Sequence, residues 1–92
     1  MKFEWDEKKN RLNIEKHGLD FIDAKKLFNN SIWEFRDERN NYGETRMVAF
    51  GYLKGRLLNL VYTIRKPNII RIISFRKANT REEALYEKNF KN

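Results

Sequence analysis

The chain contains no cysteine, a single histidine and no long apolar run, and each shortage removes a class of function. Without cysteine there is no disulfide scaffold, no zinc ribbon and no thiol nucleophile. With His17 alone, a multi-histidine metal site is excluded, so no metal and no cofactor is expected. No window approaches the ~18 uncharged apolar residues of a membrane-spanning helix. The opening MKFEWDEKKNRL is charged from its second residue, unlike a secretory signal. The expectation is a cytoplasmic protein with no membrane partner.

Acidic residues are also scarce, but in one half of the chain. Of the 92 residues, 20 are Lys or Arg and 13 are Asp or Glu, a net charge of +7. Residues 1–46 hold 10 basic and 10 acidic residues, whereas residues 47–92 hold 10 basic and 3 acidic, so the second half carries the whole excess. Between Arg46 and Arg81 lie Lys54, Arg56, Arg65, Lys66, Arg71, Arg76 and Lys77 with no acid among them. An anionic partner suits this stretch, and a solvated basic face is the plainer alternative. The hydrophobic fraction of 40% and aromatic fraction of 14% are too high for a disordered chain. A chain this short is expected to form one domain over residues 1–92, burying about two-thirds of its unfolded surface.

The pattern along the chain predicts an α+β fold. Asp6 is an N-cap and Gly18 a left-handed terminator, bounding a helix over 7–17. Asp20 opens a second helix whose Phe21, Ala24, Leu27 and Phe28 recur at helical spacing. Residues 32–36 read as a short edge strand before the polar loop DERNNYG. Longer strands follow over 44–53 and 56–65, joined by a Lys54-Gly55 turn, and over 69–76 after Pro67-Asn68. The eight uncharged residues LLNLVYTI place the middle of these at the sheet centre. Thr80 and Glu83 of TREE form a capping box for a C-terminal helix. Two N-terminal helices, an antiparallel sheet of about four strands and a C-terminal helix are therefore expected, with the helices on one sheet face and the other face open to a ligand. Simple alternation puts Ile70, Ile72, Ser74 and Arg76 on one side of the last strand and Arg71, Ile73 and Phe75 on the other. Rings such as Tyr52 or Tyr62 are candidates for base stacking beside basic strand ends.

Four segments, FEWDEKKNRLNIEKHGLDFIDA, GETRMVAFG, VYTIR and RIISFRKANTREEALYE, together resemble the BrnT family of bacterial toxins. The most specific is the last, where RIIS is followed by Arg, Ala and an RE that opens a helix ending in LYE. The resemblance implies a RelE-like ribonuclease fold and cleavage of RNA, mRNA included, that stops translation. It also implies neutralisation by a BrnA-type antitoxin, with operator DNA bound only through that partner.

Metal-independent RNA cleavage needs an acceptor for the 2′-OH proton, cations for the charged transition state and a donor for the leaving oxygen. Arg46, Arg65, Arg71 and Arg76 are the candidate cations, since each lies in or ends a strand and a guanidinium grips phosphate bidentately. Glu44, His17, Tyr62 and Lys54 are the candidates for proton transfer. Lys54, Arg56, Arg71, Lys77 and Arg81 are expected to bind RNA. Each has a structural alternative: Glu44 pairs with Arg46, His17 caps its helix dipole, Tyr62 packs in the core and Arg81 and Glu82 support a helix start. Arg65 and Arg76, with no acid nearby in sequence, are read as functional. The competing class is a nucleic-acid-binding module without catalysis, although the helix opening with Glu82, Glu83 and Glu87 is a poor groove reader.

Overall fold

A computed structural model of the chain describes residues 1–38 and 43–91, so the middle of the expected polar loop, residues 39–42, lies outside the described residues. The elements are β1 (Lys2–Glu4), α1 (Glu7–His17), a 3-10 turn (Phe21–Asp23) running into α2 (Ala24–Leu27), β2 (Ile32–Asp37), β3 (Arg46–Leu53), β4 (Arg56–Arg65), β5 (Ile69–Lys77) and α3 (Thr80–Tyr86), which widens into a π-helical turn over Glu87–Lys91. The local signals explain the boundaries. Asp6 accepts from the amides of Lys8 and Lys9, and Gly18 ends α1 at φ 71°. Lys54 and Gly55 both take positive φ, 53° and 79°, the two-residue geometry that matches strand twist.

The sheet corrects the expected antiparallel, RelE-like arrangement of about four strands. It has five strands in the order β1-β5-β4-β3-β2, and β1 runs parallel to β5, with Lys2, Phe3 and Glu4 opposite Ile69, Ile70 and Arg71. Three residues pairing with a segment so distant leave no local periodicity to read. The second helix is also shorter than its pattern suggested. Asp20 accepts from Ile22 to open a single 3-10 turn before four α-helical residues, which still bury Phe21, Ala24 and Leu27 completely.

Helices cover both faces of the sheet, not one. On the first face, Leu19, Phe21, Ala24 and Leu27 pack on Ala49, Leu58, Leu60, Tyr62, Ile70, Ile72 and Phe75. On the second, α3 brings Tyr86, with Ala78 before it, onto Val48, Phe50 and Leu57. β4 is thus apolar on both sides, which is why its sequence runs uncharged. The cap of α3 also differs by one residue: Asn79, not Thr80, accepts from the Glu82 amide, while Glu82, not Glu83, reaches back to the Asn79 amide. Thr80 is the first helical residue.

One irregularity decides the rest. Val61 pairs with Ser74 but Tyr62 pairs with Ile72, leaving Ile73 as an extra residue in β5. This bulge reverses the alternation beyond it. Phe75 therefore joins Ile70 and Ile72 in the first core, while Arg71 shares the second face with Ser74 and Arg76. The expected grouping, Ile70 and Ile72 with Arg76 and Arg71 with Phe75, is corrected accordingly. Beyond β1, the outer edge of β5 is closed by a side chain: Asn13 of α1 donates to the Phe75 carbonyl at 2.8 Å and accepts from the Phe75 amide at 3.2 Å. A carboxamide here does the work of a neighbouring strand.

Candidate nucleic-acid interface

The α3-facing side of the sheet is covered by Tyr86 over Val48, Phe50 and Leu57, and beyond that helix it carries part-exposed charged side chains. Register places Glu4, Arg71, Thr63 and Arg46 in one row across β1, β5, β4 and β3. The next row holds Ser74, Val61, Val48 and Phe35, and the third holds Arg76, Asn59, Phe50 and Trp33. Three arginines thus share one face, two of them about two strand spacings, or roughly 10 Å, apart. The Arg46 and Arg71 side chains retain 26% and 30% of their exposure, within reach of a ligand yet held against the sheet.

Each arginine meets a carboxylate from outside the acid-free interval. Glu4 contacts Arg71 at 3.0 Å and Arg65 at 3.8 Å, Glu44 lies 3.5 Å from Arg46, and Glu82 grips Arg76 through both guanidinium nitrogens. The reading of Arg65 and Arg76 as functional rests on there being no acid near them in sequence, and that ground falls away, because Glu4 of β1 and Glu82 of α3 reach them in space. The consequence differs by site. Arg71 gives Glu4 one nitrogen and keeps further donors, whereas Arg76 spends NH1 on Glu82 and the Lys77 carbonyl and NH2 on Glu82. Arg76 is held above its already high pKa by Glu82, so it stays charged. Burial works against the Glu82 carboxylate, but Arg76, the Asn79 amide and Asn59 outweigh it and keep Glu82 below its ordinary value.

Beside this face, a cleft of about 290 Å³ opens between α1 and β5, lined by Lys9, Leu12, Asn13, Lys16, His17, Ile73 and Ser74. His17 sits at its α1 end. Desolvation first, then the positive charges of Lys16 and Arg76, depress the His17 pKa, so its imidazole is an acceptor at neutral pH. Ser74 belongs both to the cleft and to the arginine face, which joins the two.

The other candidates lie elsewhere. Tyr62 is on the opposite face, in the core beneath Phe21, Ala24 and Leu27, 2% exposed, with its hydroxyl donating to Glu34 at 2.8 Å. Burial pushes that hydroxyl far above the normal phenol range, with Glu34 adding to it, so Tyr62 keeps its proton and stands apart from the arginines. Lys54 and Arg56 line a separate 190 Å³ cleft at the hairpin end with Lys26 and Asp23. Lys77 is exposed opposite Leu58, on the side away from the arginine rows, and Arg81 is exposed on α3. Sequence reasoning did not single out Ser74, Lys9, Lys16, Trp33 or Phe35. The W-x-F spacing in β2, which places both rings on one side, was the available signal. Among the described residues no group of three or more His, Asp or Glu side chains is placed to hold a metal ion, and no helix is long and apolar enough to cross a membrane.

Fold and face together define a small basic α+β protein that gathers arginines on one open side of a mixed sheet. Residues 5–82 match the family described as the ribonuclease toxin, BrnT, of type II toxin-antitoxin systems, and the chain belongs to that family. It is similar to the crystal structure of the Brucella abortus ribonuclease toxin, BrnT, with a TM-score of 0.65 and 28% sequence identity over 87% of this chain and 99% of that one. No curated protein matches the sequence. Family membership makes the protein a ribonuclease toxin with an RNA target and an antitoxin partner.

Proposed function

We propose that this toxin is a metal-independent endoribonuclease of one domain, acting in the cytoplasm, that cleaves RNA, mRNA included, and so inhibits translation. The observation that carries the site is the β5 bulge, which sets Arg71 on the face of Arg46 together with Ser74, the residue that also lines the cleft of His17. Arg46 and Arg71 grip the scissile phosphate, with Arg65 at its rim, and stabilise the extra negative charge of the transition state. The 2′-oxygen forms a bond to phosphorus as its proton passes to the neutral His17 imidazole. The phosphorus to 5′-oxygen bond breaks, and the imidazolium returns the proton to that oxygen, leaving a cyclic phosphate and a 5′-hydroxyl. Glu4 and Glu44 hold the guanidinium groups in place, and Arg76, tied to Glu82, supplies field and anchors α3.

Lys9 and Lys16 extend the positive track along α1, while Lys54, Arg56, Lys77 and Arg81 provide outlying contacts to RNA. Silencing fits a BrnA-type antitoxin with an acidic or mixed-charge segment over the same face, and operator DNA is then bound through that partner. The decisive test is incubation of the purified chain with RNA in EDTA. Cleavage by the wild type, lost in Arg71→Ala, supports the reading; intact RNA sinks it. Binding without cleavage would favour a non-catalytic nucleic-acid module instead.

A further inference from the structure

We infer that the open row beyond Arg46 is a stacking shelf for an unpaired base, so that the substrate is single-stranded RNA. This rests on the proposed ribonuclease reading and adds to it a subsite and a substrate form. The rings of Trp33 and Phe35, two residues apart on β2, lie on the arginine face and lean on Phe50 of β3, with centroid separations of 5.6 and 6.1 Å and interplanar angles of 26° in both pairs. Trp33 and Phe35 are themselves 4.9 Å apart. Phe50 is the buried foundation at 3% exposure, while Phe35 at the outer edge keeps 38%.

Chemistry and spacing point to a nucleotide as the occupant. A flat ring fixed by two others loses little freedom when a base settles on it, and every base offers a π-face. Phe35 lies opposite Val48, so it is the diagonal neighbour of Arg46 across β2 and β3, and such neighbours are separated by roughly 7–8 Å. That is the reach from a phosphate across its sugar to its own base. A phosphate held by Arg46 and Arg71 therefore delivers its base to Phe35. A base locked in a duplex cannot turn its face to the shelf, which makes the unpaired strand the substrate.

The test uses the full chain and 2′-O-methyl RNA, which lacks the attacking hydroxyl and is not consumed. Affinities for a 2′-O-methyl octauridylate and for a 2′-O-methyl duplex are compared in wild type, Phe35→Tyr, Phe35→Leu and Arg46→Ala. Phe35→Leu keeps apolar bulk at the edge, and Phe35→Tyr keeps the ring, so a folded variant is available for each comparison; thermal melts verify this. The expected result is tenfold or greater preference of the wild type for the single strand. Phe35→Leu is expected to weaken single-strand binding about 5- to 50-fold with no change in salt slope, Phe35→Tyr to retain it, and Arg46→Ala to lower the salt slope by about 0.7. Unchanged octauridylate binding in Phe35→Leu while unmodified RNA is still cleaved overturns the shelf and leaves the ribonuclease reading standing. Absence of binding and cleavage by the wild type overturns both.

Discussion

Arg76 of β5 and Glu82 of α3 are joined by paired hydrogen bonds of 2.9 and 2.8 Å, and the same carboxylate also accepts from the Asn79 amide and from Asn59. One side chain thus closes the cap of α3 and ties the helix to the sheet. Glu82→Ala is expected to lower the unfolding free energy by ~1–2 kcal/mol, more than Asn79→Ala at ~1 kcal/mol, in urea titrations at neutral pH; the range is kept small because Arg76 stays one-third exposed. Because Glu82 is held below its ordinary value of 4.5, its contribution is present above that pH and is lost as pH falls through the lower folded value. Glu82→Gln should show a correspondingly flatter acid limb.

Arg71 and Arg76 should separate chemistry from architecture. Arg71→Ala is expected to reduce RNA cleavage by about 100-fold or more with little change in melting temperature, since Arg71 makes one partly exposed contact with Glu4 where Arg76 makes two hydrogen bonds to Glu82. Arg71→Lys should recover less than a tenth of the lost rate, because an ammonium cannot make the bidentate grip. Arg76→Ala should lower both activity and stability. Equal stability loss in the two alanine variants would contradict this division.

Asn13 makes a sharp test of the strand-like closure of β5. Its Nδ2 donates to the carbonyls of Leu19 and Phe75 while its Oδ1 accepts from the Phe75 amide, and the residue is 7% exposed. Asn13→Ala should cost ~2–3 kcal/mol, leaving buried backbone groups unsatisfied. Asn13→Asp should cost more, because a carboxylate has no donor for two carbonyls. Urea unfolding and amide exchange at Phe75 read both effects.

His17 should impose a pH signature. Its folded pKa lies below the ordinary 6.5, so the unfolded chain binds the proton first and stability declines as pH drops below 6.5. His17→Gln removes this decline. In the cleavage assay, the rate falls on the acid side as the imidazole is protonated, and Lys16→Gln, which removes a positive neighbour, moves that fall to higher pH. An acid limb unchanged in His17→Gln would assign the proton transfer elsewhere.

Much of the scaffold was legible because its signals are local. Asp6 and Gly18 bounded α1, and Lys54-Gly55 marked the turn between two strands whose limits were close to those observed. What escaped was non-local. β1 owes its existence to a strand some 65 positions away, and the bulge at Ile73 shows no composition that distinguishes it from a regular strand. The partners of Arg65 and Arg76 are likewise spatial, since Glu4 reaches Arg65 from β1 and Glu82 reaches Arg76 from α3, and an acid-free interval in the sequence says nothing about either. For the cap of α3, Asn79 competed with Thr80, and both residues are good caps; backbone direction at the end of β5 decided between them.

The pairing of β1 with β5 bears on when the protein becomes dangerous to the cell that makes it. Glu4 and Arg71 are separated by 67 positions, and Asn13 and Phe75 by 62, so the first partner of each contact waits on the ribosome for the second before the contact can form. Until then the chain on the ribosome has no closed arginine face. The arginine face is therefore completed late in synthesis, when β5 arrives to meet β1, which leaves an interval in which a partner already present can meet the newly closed sheet.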